Sequence, residues 1–149
     1  MVWKLVKKTL RNLSIPYLIK MDYVTDTHGL IWYLTNNKKL GRKAEILFER
    51  ADKGKITIII PSIVLAEIIS ICEKKRANLK IGEVFDKIKN SSNYIIYDLS
   101  LSVLESVLSI KNIPEMHDRI IVATSLLGGF GLITKDEEIV NSGIVKSVW

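Results

Sequence analysis

The stretch Ile56-Thr57-Ile58-Ile59-Ile60 constrains the fold of this chain more than any other. Every residue in it is β-branched, which suits a pleated strand. With apolar side chains directed both ways, such a strand must be covered on both faces. Sheets covered on both faces are the mark of parallel α/β proteins, where crossover helices supply the outer layers.

The rest of the chain provides those helices. Tyr23-Val24-Thr25 reads as a strand followed by a helix through Leu30, Ile31 and Leu34. A second helix runs from about Arg42 to Lys53, with Gly54 suited to its C-terminal cap. Pro61-Ser62 starts a helix reaching about Lys75, with Ser62 as the predicted cap. An amphipathic helix over about Ile81 to Lys89 precedes a strand at Tyr94-Ile95-Ile96-Tyr97. A helix from about Ser102 to Ser109 follows, then one opened by Asp118 and ended by Gly128-Gly129. Leu132-Ile133-Thr134 and Ile144 to Val148 read as the last strands. The alternation predicts a three-layer α/β/α fold with a mainly parallel central sheet. Ligands of such sheets sit beyond the carboxyl ends of the strands.

At 149 residues the chain has the length of one ordinary domain. Its 48% hydrophobic and 26% charged residues exclude a disordered chain. The single Cys72 rules out an internal disulfide, and with two His residues zinc ligands are scarce, so a reducing cytoplasm is the expected setting. The best apolar run, Ile56 to Leu65, is interrupted by Thr57, Pro61 and Ser62 and falls short of the roughly 20 residues a membrane span needs. The N-terminus has lysines but no compact apolar segment with a small-residue cleavage site, so no secretory signal is expected.

The net charge of +6 is unevenly spread. Lys4, Lys7, Lys8, Arg11 and Lys20 make residues 1–20 +5, with no acid among them. The remaining 17 basic and 16 acidic residues nearly cancel. Lys4, Lys7, Lys8 and Arg11 share one face of a predicted short helix, with Val2, Leu5, Val6, Leu10 and Leu13 on the opposite side. Ser14-Ile15-Pro16 should end it. Residues 1–20 thus read as a basic extension in front of a domain spanning 21–149. A basic arm favours polyanionic partners; a packing role, or translation starting at Met21, explains it as well.

Four acids border apolar runs: Asp26, Glu67, Asp118 and Asp136. Asp26, Asp118 and Asp136 each precede or open a helix, and capping alone would account for them. Glu67 has no such explanation, because it shares a stripe with Ile63 and Ile71 at four-residue spacing, beside Val64 and Ile68. Its ordinary alternative is an ion pair with a Lys or Arg from elsewhere. Taken together, two carboxylates about 4 Å apart repel by roughly 4 kcal/mol at an effective dielectric near 20. Protonation or a cation must relieve a cluster of them. An all-oxygen donor set suits Mg²⁺ or Mn²⁺, ions that activate water and stabilise charge on a transferring phosphoryl group.

The order and surroundings of these acids resemble the PIN-domain nucleases, and most closely the VapC-like toxins of toxin–antitoxin pairs. Tyr-Val-Thr-Asp-Thr-His-Gly-Leu-Ile-Trp-Tyr-Leu at 23–34 is similar to that family's opening motif, and Pro61 to Ile68 to its second. Pro114 through Ser125, containing His-Asp-Arg-Ile-Ile-Val-Ala-Thr, and Leu132-Ile133-Thr134-Lys135-Asp136 resemble the third and fourth. The resemblance covers about residue 22 to the C-terminus and implies an endoribonuclease dependent on Mg²⁺ or Mn²⁺, a cognate antitoxin and a homodimer. It makes Asp26 and Asp118 the main metal ligands, with Glu67 and Asp136 completing the site directly or through water. Thr134 matches a hydroxyl residue that positions a carboxylate or a water. Arg119 either touches a phosphate or braces the acids, with bracing preferred. His28 is expected to pack on the first helix, and neither it nor His117 is assigned a metal.

Two other readings compete. One is a catalytically weak module that keeps the fold as a platform for RNA or antitoxin. The other is an acidic-pocket magnesium phosphatase, disfavoured because Asp22 and Asp26 stand four apart and no suitable lysine motif stands out. Trp32 and Tyr33 read as core or partner-facing residues. Lys74, Lys75 and Arg76 read as complements to a helix dipole, with an RNA path as the lesser alternative.

Overall fold

The computed structural model describes residues 21–149. The helix expected over the basic N-terminal segment lies outside the described residues. In chain order the elements are β1 (Tyr23–Thr25), α1 (Thr27–Leu34), α2 (Arg42–Asp52), β2 (Ile58–Pro61), α3 (Ser62–Glu73), α4 (Ile81–Lys89), β3 (Tyr94–Tyr97), α5 (Leu101–Val107), α6 (Met116–Gly128), β4 (Gly131–Ile133), α7 (Glu137–Ser142) and β5 (Ser147–Val148). The five strands form one sheet in the order β3-β2-β1-β4-β5, and every pair is parallel. The three-layer α/β/α arrangement expected from the alternation is the one observed.

The isoleucine run behaves as its composition requires. Ile58, Ile59 and Ile60 lie in β2 and are all buried, hydrogen-bonded between β1 and β3. The strand starts two residues later than expected because side chains claim the backbone there. Asp22 Oδ1 accepts from the Thr57 N–H at 2.8 Å, and Asn93 Nδ2 donates to the Ile56 carbonyl at 2.9 Å. Ile56 is buried all the same.

Other boundaries also shift for local reasons. Ser62 does not cap α3: it is the first helical residue, and its hydroxyl accepts from the Leu99 N–H at 3.1 Å. That bond ties the start of α3 to the segment leaving β3. The helix stops at Glu73, because Lys75 adopts a left-handed conformation with φ 52°. Helix α5 begins at Leu101, with the Ser100 hydroxyl accepting from the Val103 N–H. Asp118 does not open α6. The helix starts at Met116, which puts Asp118 at its third position, inside the first turn. The last strand shortens to Ser147–Val148, since Gly143 turns left-handed and the Ser142 hydroxyl takes the Ile144 N–H.

Helix α6 runs through the interior. Ile120 to Ser125 are consecutively buried, so the middle of the helix is covered all round and not amphipathic. Its two buried hydroxyls are satisfied locally, Thr124 on the Ile120 carbonyl at 2.9 Å and Ser125 on the Phe130 carbonyl at 2.7 Å. Gly129, with φ 66°, ends the helix in the left-handed conformation that lacks a steric penalty only for glycine.

The chain leaves β1 for β2 and β3 on one side, then returns to β4 and β5 on the other. The strand order therefore reverses between β1 and β4, and a crevice opens beyond their carboxyl ends.

Candidate active site

Asp26 follows the last residue of β1, and its N–H donates to the Ile133 carbonyl of β4 at 3.1 Å. Its Oδ1 accepts from the Gly29 N–H at 2.7 Å, capping α1. Asp136 lies just past β4 and caps α7 in the same way, through the Ile139 N–H at 3.0 Å. The capping role is therefore real for both, and it does not compete with a site: the bond that caps the start of each helix also holds the carboxylate at the crevice.

Thr134 joins these two acids. It is fully buried, its hydroxyl accepts from the Asp136 N–H at 3.1 Å, and its side chain favours the charged form of the neighbouring Asp26 carboxylate. Burial nevertheless pushes the Asp26 carboxyl above its ordinary value, against the lowering influence of Thr134 and Gly29.

Glu67 enters from the middle of α3. Among the described residues no Lys or Arg lies within ion-pair distance of it, so the expected alternative partner is not found. Instead Thr27 Oγ1 donates to Oε2 at 2.5 Å, and His117 Nδ1 stands 3.5 Å from Oε1. Asp118 comes from the first turn of α6, where it is half-buried. Burial raises its carboxyl to about 6, aided by repulsion from Asp136, Glu67, Asp26 and Glu115. Asp26, Glu67, Asp118 and Asp136, from four separate parts of the chain, thus line one pocket of about 410 Å³ together with Glu115.

The donor set is all oxygen and strongly anionic. Among the described residues, no three His, Cys, Asp or Glu side chains converge into a finished metal cage. An all-oxygen, anionic donor set suits a hard cation such as Mg²⁺, which keeps several waters and takes only one or two carboxylates directly. The charge repulsion on Asp118 is the strain such an ion would relieve.

Arg119 does not pair with the acids. Its Nη2 donates to the Pro114 carbonyl at 3.3 Å, and its buried Nε lacks a partner among the described residues. His28 packs on α1 as expected, its ring 5.5 Å from that of Trp32 at a tilted angle. Sequence reasoning gave no role to Thr27, which is buried and holds Glu67, or to Lys135, whose Nζ lies 4.4 Å from the Trp32 ring centroid at the pocket wall. Thr27 had a usable signal: a hydroxyl directly after a capping Asp is carried into the first turn, facing the same edge. The phosphatase alternative loses its second acid, because Asp22 sits at the opposite end of β1, engaged with Thr57.

The fold is similar to that of VapBC2 from Rickettsia felis, solved bound to a DNA fragment from its promoter. The TM-score is 0.64 at 19% identity, covering 86% of this chain and 98% of that one. A toxin–antitoxin complex from Klebsiella pneumoniae gives a TM-score of 0.58 at 19% identity, covering 85% of this chain and 96% of that one. No curated protein matches the sequence. The sequence profile of the PIN domain matches residues 23–143, from β1 past α7. The match spans the sheet core and all four acids, so the chain belongs to the PIN domain family, a family of nucleases.

Proposed function

We propose that the protein is an endoribonuclease dependent on Mg²⁺ or Mn²⁺, and the toxin of a toxin–antitoxin pair. The observation that carries this reading is the gathering of Asp26, Glu67, Asp118 and Asp136, from four separate parts of the chain, around one pocket at the crevice of a PIN domain. Asp26 and Asp118 would hold the cation, with Glu67 and Asp136 completing its shell directly or through water. When bound, the ion supplies an activated water and charge stabilisation at the scissile phosphate. Thr134 fixes the backbone of Asp136 and supports the charged form of Asp26, and Thr27 fixes Glu67 where it can accept a proton from the attacking water. Arg119 fastens the turn before α6 through the Pro114 carbonyl, supporting Asp118 indirectly.

The fold's likeness to two toxin–antitoxin structures supports an antitoxin partner. A homodimer is supported by exposed apolar side chains on the edge strand β3 (Ile95, Ile96) and on and beside α5 (Leu101, Leu104, Leu108). Among the described residues no helix is long and apolar enough to cross a membrane; a cytoplasmic setting is supported by the single Cys72, which can form no internal disulfide. We retain residues 1–20 as a basic extension appended to the domain at 21–149.

The test is cleavage of a mixed RNA pool with Mg²⁺, Mn²⁺ or EDTA, comparing wild type with Asp118→Asn. Metal-dependent cutting that the variant lacks supports the nuclease. Well-folded wild type that cuts no RNA under any metal would transfer the site to the catalytically weak binding platform.

A further inference from the structure

The catalytic pocket is too acidic to hold a polyanion unaided, and the cations that would offset it are found beside it. A groove of about 640 Å³ adjoins the pocket and shares His28 with it. Lys39, Arg76, Asn37 and Asn78 line the groove, Trp32 walls it, and no carboxylate lines it. A third concavity continues from there, sharing Arg76, Ala77 and Asn78 with the groove and adding Lys75 and Lys80. It too has no carboxylate in its lining.

The three hollows therefore lie side by side, in order from the acids to the loop after α3. Lys39, Lys75, Arg76 and Lys80 are exposed, and among the described residues none of them, nor Lys135, has a carboxylate within ion-pair distance. Trp32 gathers two of the cations at the pocket end: Lys135 Nζ lies 4.4 Å and Lys39 Nζ 5.8 Å from its ring centroid. Complementing the dipole of α3 accounts for Lys75 and Arg76, just past its C-terminus, but not for Lys39, or for Lys80 at the N-cap of α4. The left-handed turn at Lys75 carries the chain out of α3, so that Arg76 and Asn78 line both the groove and the hollow beyond it.

We propose that this path, from His28 past Lys39 and Arg76 to Lys75 and Lys80, is the track that holds the single-stranded RNA flanking the scissile phosphate. The inference rests on the ribonuclease reading above. The cations neutralise successive phosphates, and Trp32 acts as a positioning residue that keeps Lys39 and Lys135 extended along the wall.

Binding and cutting are measured separately on the full chain. Affinity for a labelled single-stranded RNA is followed against salt with EDTA present, so that cleavage does not intervene. The pair Lys39→Ala with Arg76→Ala is compared with Lys53→Ala with Lys55→Ala, which removes equal charge at residues lining none of the three hollows. The track pair should weaken binding about 10-fold at moderate salt and flatten the salt slope by about 1.4, at roughly 0.7 per lost contact to a single strand. The control pair should alter both far less.

Equal losses in the two pairs would reduce the effect to net charge and overturn the track. A wild type that binds no RNA would also overturn it, leaving the groove to a protein partner. Cleavage with Mn²⁺ is then measured on the same RNA. Binding that depends on the track without any cutting would refute the ribonuclease and keep the track. Cutting with an unchanged KM in the track pair would do the reverse.

Discussion

Replacing Asp118 with Asn should make the metal-free protein more stable at neutral pH, although the same change should remove cleavage. Burial and the charges of Asp136, Glu67, Asp26 and Glu115 raise the Asp118 carboxyl from 3.8 to about 6. A group whose folded-state value is raised gives its full stabilisation below the unfolded value and loses it as pH climbs through the folded one. The window here runs from about pH 3.8 to about pH 6, and above it the folded state carries an ionised carboxylate at a cost. A rise of about two pH units corresponds to about 3 kcal/mol. Asp118 is only half-buried and solvent screens its neighbours, so we take roughly half of that, ~1–2 kcal/mol. For a chain of this length the gain is about 3–8 °C in melting temperature. The assay is thermal unfolding by circular dichroism with EDTA, for wild type and variant, from about pH 4 to about pH 8. The variant's advantage should be largest above pH 6 and fade toward pH 4, and adding Mg²⁺ should raise wild type more than the variant. A variant no more stable than wild type near neutral pH, or an advantage unchanged across the range, would refute the electrostatic argument.

Further outcomes follow from other contacts. Thr27→Val keeps the shape of a buried side chain and deletes the donor to Glu67; kcat should fall about tenfold, as expected for losing a hydrogen bond to a charged group, with KM unchanged in steady-state cleavage. Gly41→Ala would bring a Cβ to 2.4 Å from the Trp149 backbone, so the urea midpoint should drop by the equivalent of about 1–3 kcal/mol, and an unchanged midpoint would mean the C-terminus is not seated there. Phe48→Ala removes a fully buried ring stacked 4.5 Å from Tyr33 and should cost about 3–5 kcal/mol in urea unfolding. Leu101→Glu with Leu108→Glu alters two of the most exposed apolar side chains, at 72% and 77%; sedimentation should show a monomer of wild-type stability, and an unaltered mass would remove that face from the dimer.

The sequence by itself determined the class of fold. Period and composition are local properties, and Ile58–Ile60 is apolar on both faces wherever it sits, so a covered parallel strand was legible without any partner. The elements that moved were those whose ends are set by distant groups. Asp22 and Asn93 hold the backbone before β2, and the Leu99 N–H takes the hydroxyl that was expected to cap α3. The four acids were visible as carboxylates out of place, and Glu67 most clearly, because nothing along its own helix explained it.

Only the tertiary structure decided what those acids meet. Glu67 and Thr27 are 40 residues apart in the chain, and Asp26 reaches Thr134 across the junction of β1 and β4. Strand order set that junction: with β1 between β2 and β4, the crevice falls where two capping aspartates end adjacent strands. The raised carboxyl of Asp118 and the chain of carboxylate-free hollows beside it were equally out of reach of sequence. Charge repulsion and concavity depend on distances through space, which a linear pattern does not contain.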